Sequence, residues 1–205
     1  MADYPPHPSP GPSGPTRPAG MVGRGAALGA WIWWVERLFE VTGAWVPSAP
    51  EAAVRIHLAE LSRVLGEHAG ALRHHLPRPA SIDPDRWVAA PSAEAVEGLA
   101  ELAAAERSIE RLAGLHRVLV PRLLVAWRTE ARRPAVADHS LARTLGHAHL
   151  DLVDLWHDGQ GLLQLAVDLG GAAAVRTAAD AAGATEAAVV AGGGLLAPGP
   201  PSGPS

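Results

Sequence analysis

Residues 77–91 read Pro-Arg-Pro-Ala-Ser-Ile-Asp-Pro-Asp-Arg-Trp-Val-Ala-Ala-Pro. Proline lacks a backbone N–H donor and clashes with the preceding helical turn, so no helix crosses this segment. On either side lie long runs whose apolar residues recur at three- and four-residue steps. The other connections between such runs are short. The length of this one therefore decides how the chain is wired.

The run before it contains two helices. The first is expected over about Gly25 to Val46, with Leu28, Trp31, Val35, Leu38, Thr42 and Trp45 on one face. Pro47 stops it. Ser48, with Glu51 three residues later, fits a capping box for the second helix, and Pro50 is tolerated in a first turn. The second stripe is Val54, Leu58, Leu61, Leu65, Leu72 and Leu76, ended by Pro77 and Pro79. After the Pro-rich segment a third helix is expected from Ser92, with Glu94 and Glu97 suited to its N-terminus. Its stripe is Leu102, Ile109, Leu112, Ala113, Leu119 and Val120. Pro121 should kink it before Leu123, Leu124 and Trp127. A fourth helix is expected over about Asp138 to Asp168, with Leu141, Leu145, Leu152, Leu155, Leu163 and Ala166 inward. An Ala-rich run at 172–182 is a short candidate fifth.

Short first and last connections make two antiparallel hairpins. Helices of about 25 residues are roughly 38 Å long, and fifteen extended residues cover about 50 Å. The 77–91 segment can thus return along the whole bundle, which makes an all-α, up-down-down-up four-helix bundle with one long crossover. The expected organisation is a disordered Pro/Gly-rich tail at 1–24, a bundle at 25–182 and a second disordered tail at 183–205.

Composition excludes several classes. The 205 residues carry 17 basic and 21 acidic side chains, a formal net charge of −4, so there is no electrostatic footprint for nucleic acid. With no Cys there is no disulfide framework, zinc ribbon, Fe–S cluster or thiol nucleophile. Every basic residue is Arg and Ala is abundant, a bias of GC-rich coding rather than of chemistry. Without Lys there is no phosphate-binding Gly-Lys loop. The first twenty residues lack an apolar h-region, and the apolar stretch Trp31 to Phe39 is short and interrupted by Glu36 and Arg37. A cytoplasmic protein with no membrane and no nucleic-acid partner is expected.

Three short motifs carry a resemblance. They are Gly43-Ala44-Trp45-Val46-Pro47-Ser48-Ala49-Pro50-Glu51 at the entry to the second helix, Glu67-His68-Ala69-Gly70-Ala71-Leu72 near its end, and Leu115-His116-Arg117-Val118-Leu119-Val120-Pro121 in the third. Together they resemble a group of poorly characterised bacterial ferritin-like proteins, over about residues 30 to 168. The resemblance implies the fold rather than an activity.

That fold raises the question of a di-iron site, which needs Glu from two helices and Glu-x-x-His from two others. The chain has no Glu-x-x-His. Glu36 and Glu40 project away from the first stripe. Asp154-x-x-His157 lies with His147, Asp151 and Asp158 on a polar face of the fourth helix. The di-iron ligand set is therefore missing, and no cofactor is expected.

Histidines remain on the inward faces. His68 falls within the second stripe, His116 within the third, and His149 at the edge of the fourth; His57 and His75 flank the second. Glu106 borders the third stripe and could orient a His. Two functional readings follow. One is a bundle that has lost its metal site and acts as a protein- or small-ligand-binding module. The alternative is a metal-dependent oxidoreductase or hydroxylase, with His68, His116, His149 and Glu106 around iron or zinc. It requires the imidazoles to meet at one level of the bundle; otherwise each is satisfied singly in the core. Trp33 points away from the first stripe, and its exposure would mark a protein-contact surface such as a homodimer interface.

Overall fold

Where the chain turns from one helix to the next, a specific residue accounts for each turn. The computed structural model describes residues 21–79, 83–132 and 139–195, and among these there is no strand. Of the tails expected at 1–24 and 183–205, residues 1–20 and 196–205 lie outside the described residues. Helix α1 (Met21–Trp45) leads through a 3-10 turn at Val46–Ser48 into α2 (Ala52–Arg73). The expected capping box does not form. Glu51 sits at the N-cap of α2 without a side-chain bond to it. Its carboxylate instead accepts the Ser108 hydroxyl at 2.5 Å, and Ser48 donates to the Trp45 carbonyl at 3.1 Å. A tertiary partner has taken the carboxylate that the local motif reserved.

Leu28, Trp31, Ile32, Trp34, Val35, Leu38 and Trp45 of α1 are all buried. That face is wider than the expected stripe, because α1 has neighbours on more than one side. The chain of contacts gives the directions. Arg73 of α2 pairs with Glu36, and Ser62 donates to the Phe39 carbonyl at 2.9 Å, so α2 runs antiparallel to α1.

The Pro-rich segment begins to cross, but it does not cross alone. Trp87 lies over the start of α1, and its indole donates to the Pro77 carbonyl at 3.2 Å. Ser92 then caps a separate helix, α3 (Ala93–Ala103), by accepting from the Ala95 N–H. Helix α3 finishes beside the other end of α1, where the Trp45 indole donates to the Ala103 carbonyl at 3.0 Å. The expected single third helix is thus split. Residues 104–107 break it, with Arg107 in extended conformation at φ −93°, ψ 139°, and the Glu110 carboxylate accepts the Arg107 backbone N–H. Leu102 and Ile109 are seven residues apart. That is close to two helical turns, so the periodicity runs through the break without a mark.

After the break, α4 (Ser108–Ala113), a π-helical segment (Gly114–Leu119) and α5 (Val120–Ala131) form one rod. The irregularity expected at Pro121 is taken up just before it. The Val120 N–H bonds to the Leu115 carbonyl, five residues back. Paired residues advance together along α2 and this rod: Glu51 with Ser108, His57 with His116, His68 with Trp127. The two are parallel.

Helix α6 (His139–Ala191) is two helices merged across Gly171. Its first arm, 139–170, runs antiparallel to α2, with Thr144 bonded to His75 and Asp151 beside His68. At Gly171 φ is 58° and ψ is −149°, a conformation open to glycine and strained for other residues. The chain reverses there. On the return arm Thr185 faces Gly114, whereas Gly159 of the outgoing arm faces His116. The fifth helix expected at 172–182 continues to Ala191, so the tail boundary at 183 is corrected, as is that at 24, which lies inside α1. Small residues extend the fifth helix: Ala188 meets Gly98 of α3, and Thr185 and Val189 are buried.

Replacing Gly171 by Ala should lower the unfolding free energy by about 1–3 kcal/mol, because a Cβ is strained at that φ. Gly161, in the helical part of α6 with no atom within 4 Å of its missing Cβ, is the contrast. There the Ala substitution should be stabilising by about 0.5–1 kcal/mol. Urea unfolding of the two variants against the parent checks both signs.

Candidate functional site

His57 lies in the second turn of α2 and His116 in the middle of the π segment. The π turn displaces His116 from the register an α-helix would give it, and such segments gather at functional positions. Their Nε2 atoms are 2.9 Å apart, and both rings are buried. One nitrogen must donate and the other accept, and burial of both rings keeps the two imidazoles neutral. His116 Nδ1 has no partner. A buried lone pair left open is cheaper than a buried orphan N–H. His116 Nε2–H is therefore the donor and His57 Nε2 the acceptor.

The surroundings hold this arrangement. The carbonyl of His116 accepts the Trp156 indole at 2.8 Å and the Gln160 amide at 2.5 Å, so the first arm of α6 satisfies a π-segment carbonyl. Between those two residues, one turn along, Gly159 leaves room for the His116 ring; a Cβ there would overlap it. Burial, with the neighbouring His57 adding to it, pushes the His116 imidazole down to about 3. Burial also lowers His57, against the opposing charge of Asp158. The pair is a dry, uncharged lock joining α2, the α4–α5 rod and α6. Neither ring lines the surface hollows described below.

The histidines that the metal-dependent alternative needs at one level of the bundle lie at different levels. His68 is eleven residues beyond His57, so it stands about 16 Å further along the bundle. It packs edge-on to Trp127 at 6.2 Å, with Asp151 Oδ2 at 3.1 Å from its Nε2. Burial lowers its pKa, partly offset by Asp151 and Glu67. His149 is two residues from Asp151, near the His68 level and about 15 Å from Gly159 and His116; its Nδ1 is buried without a partner. Glu106 is exposed at the α3–α4 break, ten residues from His116. Among the described residues no group of three or more His, Asp or Glu side chains could hold a metal ion. The partner of His116 is His57, which sequence reasoning placed only at the flank of its stripe. Trp33 is half-buried against the core, edge-on to Trp34 at 5.0 Å.

Sequence reasoning passed over Arg111. It is buried, donates from Nε to the Ala105 carbonyl at 2.9 Å, and stands 5.3 Å over the Trp45 ring. With the Trp45–Ala103 bond, it ties both sides of the break to the end of α1. No local pattern marks an Arg for this role.

Around the break the surface is hollowed. An open groove of about 670 Å³ lies between the start of α2, α4 and the α6 reversal, with walls of Val54, Ile109, Leu112, Leu162, Leu165 and Leu169. Leu165 is 55% exposed and Leu169 81%. A neighbouring hollow of about 640 Å³ lies between the end of α3, α4 and the return arm of α6, and carries Glu101, Glu106, Glu110 and Asp180. The two meet along Glu106, Arg107 and Thr177. Glu106, which could have oriented a His in the metal-dependent alternative, stands at the rim between them.

Compared with family models, with characterised proteins and with solved structures, the chain finds no match. Among the described residues no helix is long and apolar enough to cross a membrane.

The His116 imidazole is neutral in the folded chain down to about 3 and takes a proton near 6.5 when unfolded. Its contribution to stability is whole above that upper value and is lost as pH falls below it. The slope should approach about 1.4 kcal/mol per pH unit. Unfolding free energies between about pH 7.5 and 5.5 should fall in the parent and fall less steeply in His116→Gln. Equal slopes would place the proton uptake elsewhere.

Proposed function

We propose that this chain is a ferritin-like bundle protein that works as a binding module, with the apolar groove at the α6 reversal as the binding site. The helix directions support the bundle reading. Helix α2 is antiparallel to α1 and to the first arm of α6, and parallel to the α4–α5 rod. A long crossover in the middle joins the two halves, as in ferritin-like connectivity. The return arm of α6 and α3 are additions to that plan. Fold does not carry function, so the reading rests on the site.

The observation that carries it is the groove itself. Its size lies within the range of about 300–1,000 Å³ common for ligand sites. Its wall includes Leu165 and Leu169, left in water at a cost one turn apart, whereas Leu145, Leu152, Leu155 and Leu163 of the same arm are buried and Leu150 is exposed singly, outside the groove. Contiguous exposed apolar surface of this kind marks interaction sites. The buried histidine pair supplies rigidity beneath it: Leu112 and Leu162 line the groove one turn from His116 and Gly159 respectively.

A neutral solvatochromic dye such as Nile red tests this. The full chain should bind it saturably, with blue-shifted emission. Leu165→Ser combined with Leu169→Ser should weaken binding about tenfold or more, since two leucine contacts are each worth on the order of 1 kcal/mol. Both side chains are exposed, so the helical signal should be unchanged. Saturable binding that the double variant leaves intact would overturn the reading, and so would no binding by the parent.

A further inference from the structure

The two hollows that meet at Glu106, Arg107 and Thr177 differ in chemistry, and the difference identifies an occupant. This step rests on the groove being a binding site. We infer that the groove receives a basic amphipathic helix of a partner protein.

The shape argues for a helix. Leu162, Leu165 and Leu169 stand at spacings of three and four on the first arm of α6, so they form one helical ridge. Val54 of α2 with Ile109 and Leu112 of α4 form the facing wall. A groove between helical ridges is the surface into which the side-chain ridge of another helix packs. A helix that fills it presents apolar residues at i, i+3, i+4 and i+7.

The charge argues for a basic one. A helix seated in the groove turns its flank towards the neighbouring hollow. There Arg107 is the one cation in the lining, and Glu110 holds it through two bonds, at 2.5 and 3.0 Å. Glu101, Glu106 and Asp180 line the same hollow and form no ion pair with a described residue. Arg111 offsets part of the Glu106 charge from inside the core, but three carboxylates held in no ion pair beside an apolar groove still attract Lys and Arg on the flank of the helix and repel an acidic one. The same charges raise the rate of encounter and make it depend on salt. A second copy of this chain is a poorer match, because it carries a formal charge of −4.

The test uses the full chain and two labelled synthetic peptides of about 18 residues, long enough to present five helical turns. Both have the same leucine face; one has Lys on its flanks and the other Glu. In fluorescence anisotropy the Lys peptide should bind about tenfold or more tightly than the Glu peptide, and more weakly at about 300 mM than at 50 mM salt. Neutralising the hollow with Glu101→Gln, Glu106→Gln and Asp180→Asn should remove most of that preference. Leu165→Ser with Leu169→Ser should weaken both peptides. Asp154→Asn, on an exposed face of α6 away from the groove, should change nothing.

Equal binding of the two peptides, still lost in the leucine variant, would overturn the basic partner and leave the binding reading standing. Lys-peptide binding that ignores both sets of variants is general charge attraction and overturns the inference. Binding of neither peptide also overturns it, and the Nile red result then decides separately whether the groove binds anything. A dimer in sedimentation that dissociates on the leucine substitutions identifies a second copy as the occupant, against the inference.

Discussion

The His116 imidazole is the point where three long elements of this structure touch. It bonds to His57 of α2, its own carbonyl is held by Trp156 and Gln160 of α6, and Gly159 of α6 is shaped by absence to admit its ring. A polar ring with no exposure is costly unless its bonds are made. Here the second imidazole makes the key one, and the π turn frees a carbonyl that α6 then satisfies. Shifting any of the three elements by one residue would break several of these contacts together. The register of α2, the α4–α5 rod and α6 is thereby set at one level, and the apolar residues above and below fall into place.

From that level the chain builds outward to an end that is deliberately incomplete in its packing. Helix α3 stops at Ala103, and Arg111 and Trp45 secure the break. Helix α6 reverses at Gly171, which brings a second arm back along the rod. These two interruptions leave hollows between helix ends, one lined by leucines and one by carboxylates. The buried polar lock and the open end divide the work between them. The lock gives rigidity without access to solvent, and the surface beside it gives access without demanding that the core move.

The helices themselves were legible in the residues. Stripes at three- and four-residue steps marked the inward faces of α1, α2, α5 and α6, and Leu28, Trp31, Val35, Leu38 and Trp45 are all buried as the spacing required. Pro47, Pro77 and Pro79 punctuated the chain where helices end. The long middle connection was legible too, because prolines exclude helix from it. The break at 104–107 was not, since Leu102 and Ile109 keep helical phase across it. Nor was the partner of Glu51: the spacing offered a capping box, but its carboxylate accepts from Ser108, 57 residues away.

The candidate site divides along the same line. Composition and spacing alone determined that the chain is helical, that inward faces carry histidines, and that no Glu-x-x-His pair exists. Those are local properties: they depend on residue type and on the 3.6-residue period. Which histidines meet was decided by tertiary structure alone. A slide of one helix against another leaves every stripe intact yet moves each side chain by 1.5 Å per residue. The π turn, the fit of Gly159 and the long crossover chose the register that pairs His116 with His57 and separates it from His68 and His149. The reversal at Gly171 likewise needed a second arm with α3 to pack against, and no single stretch of sequence contains that partner.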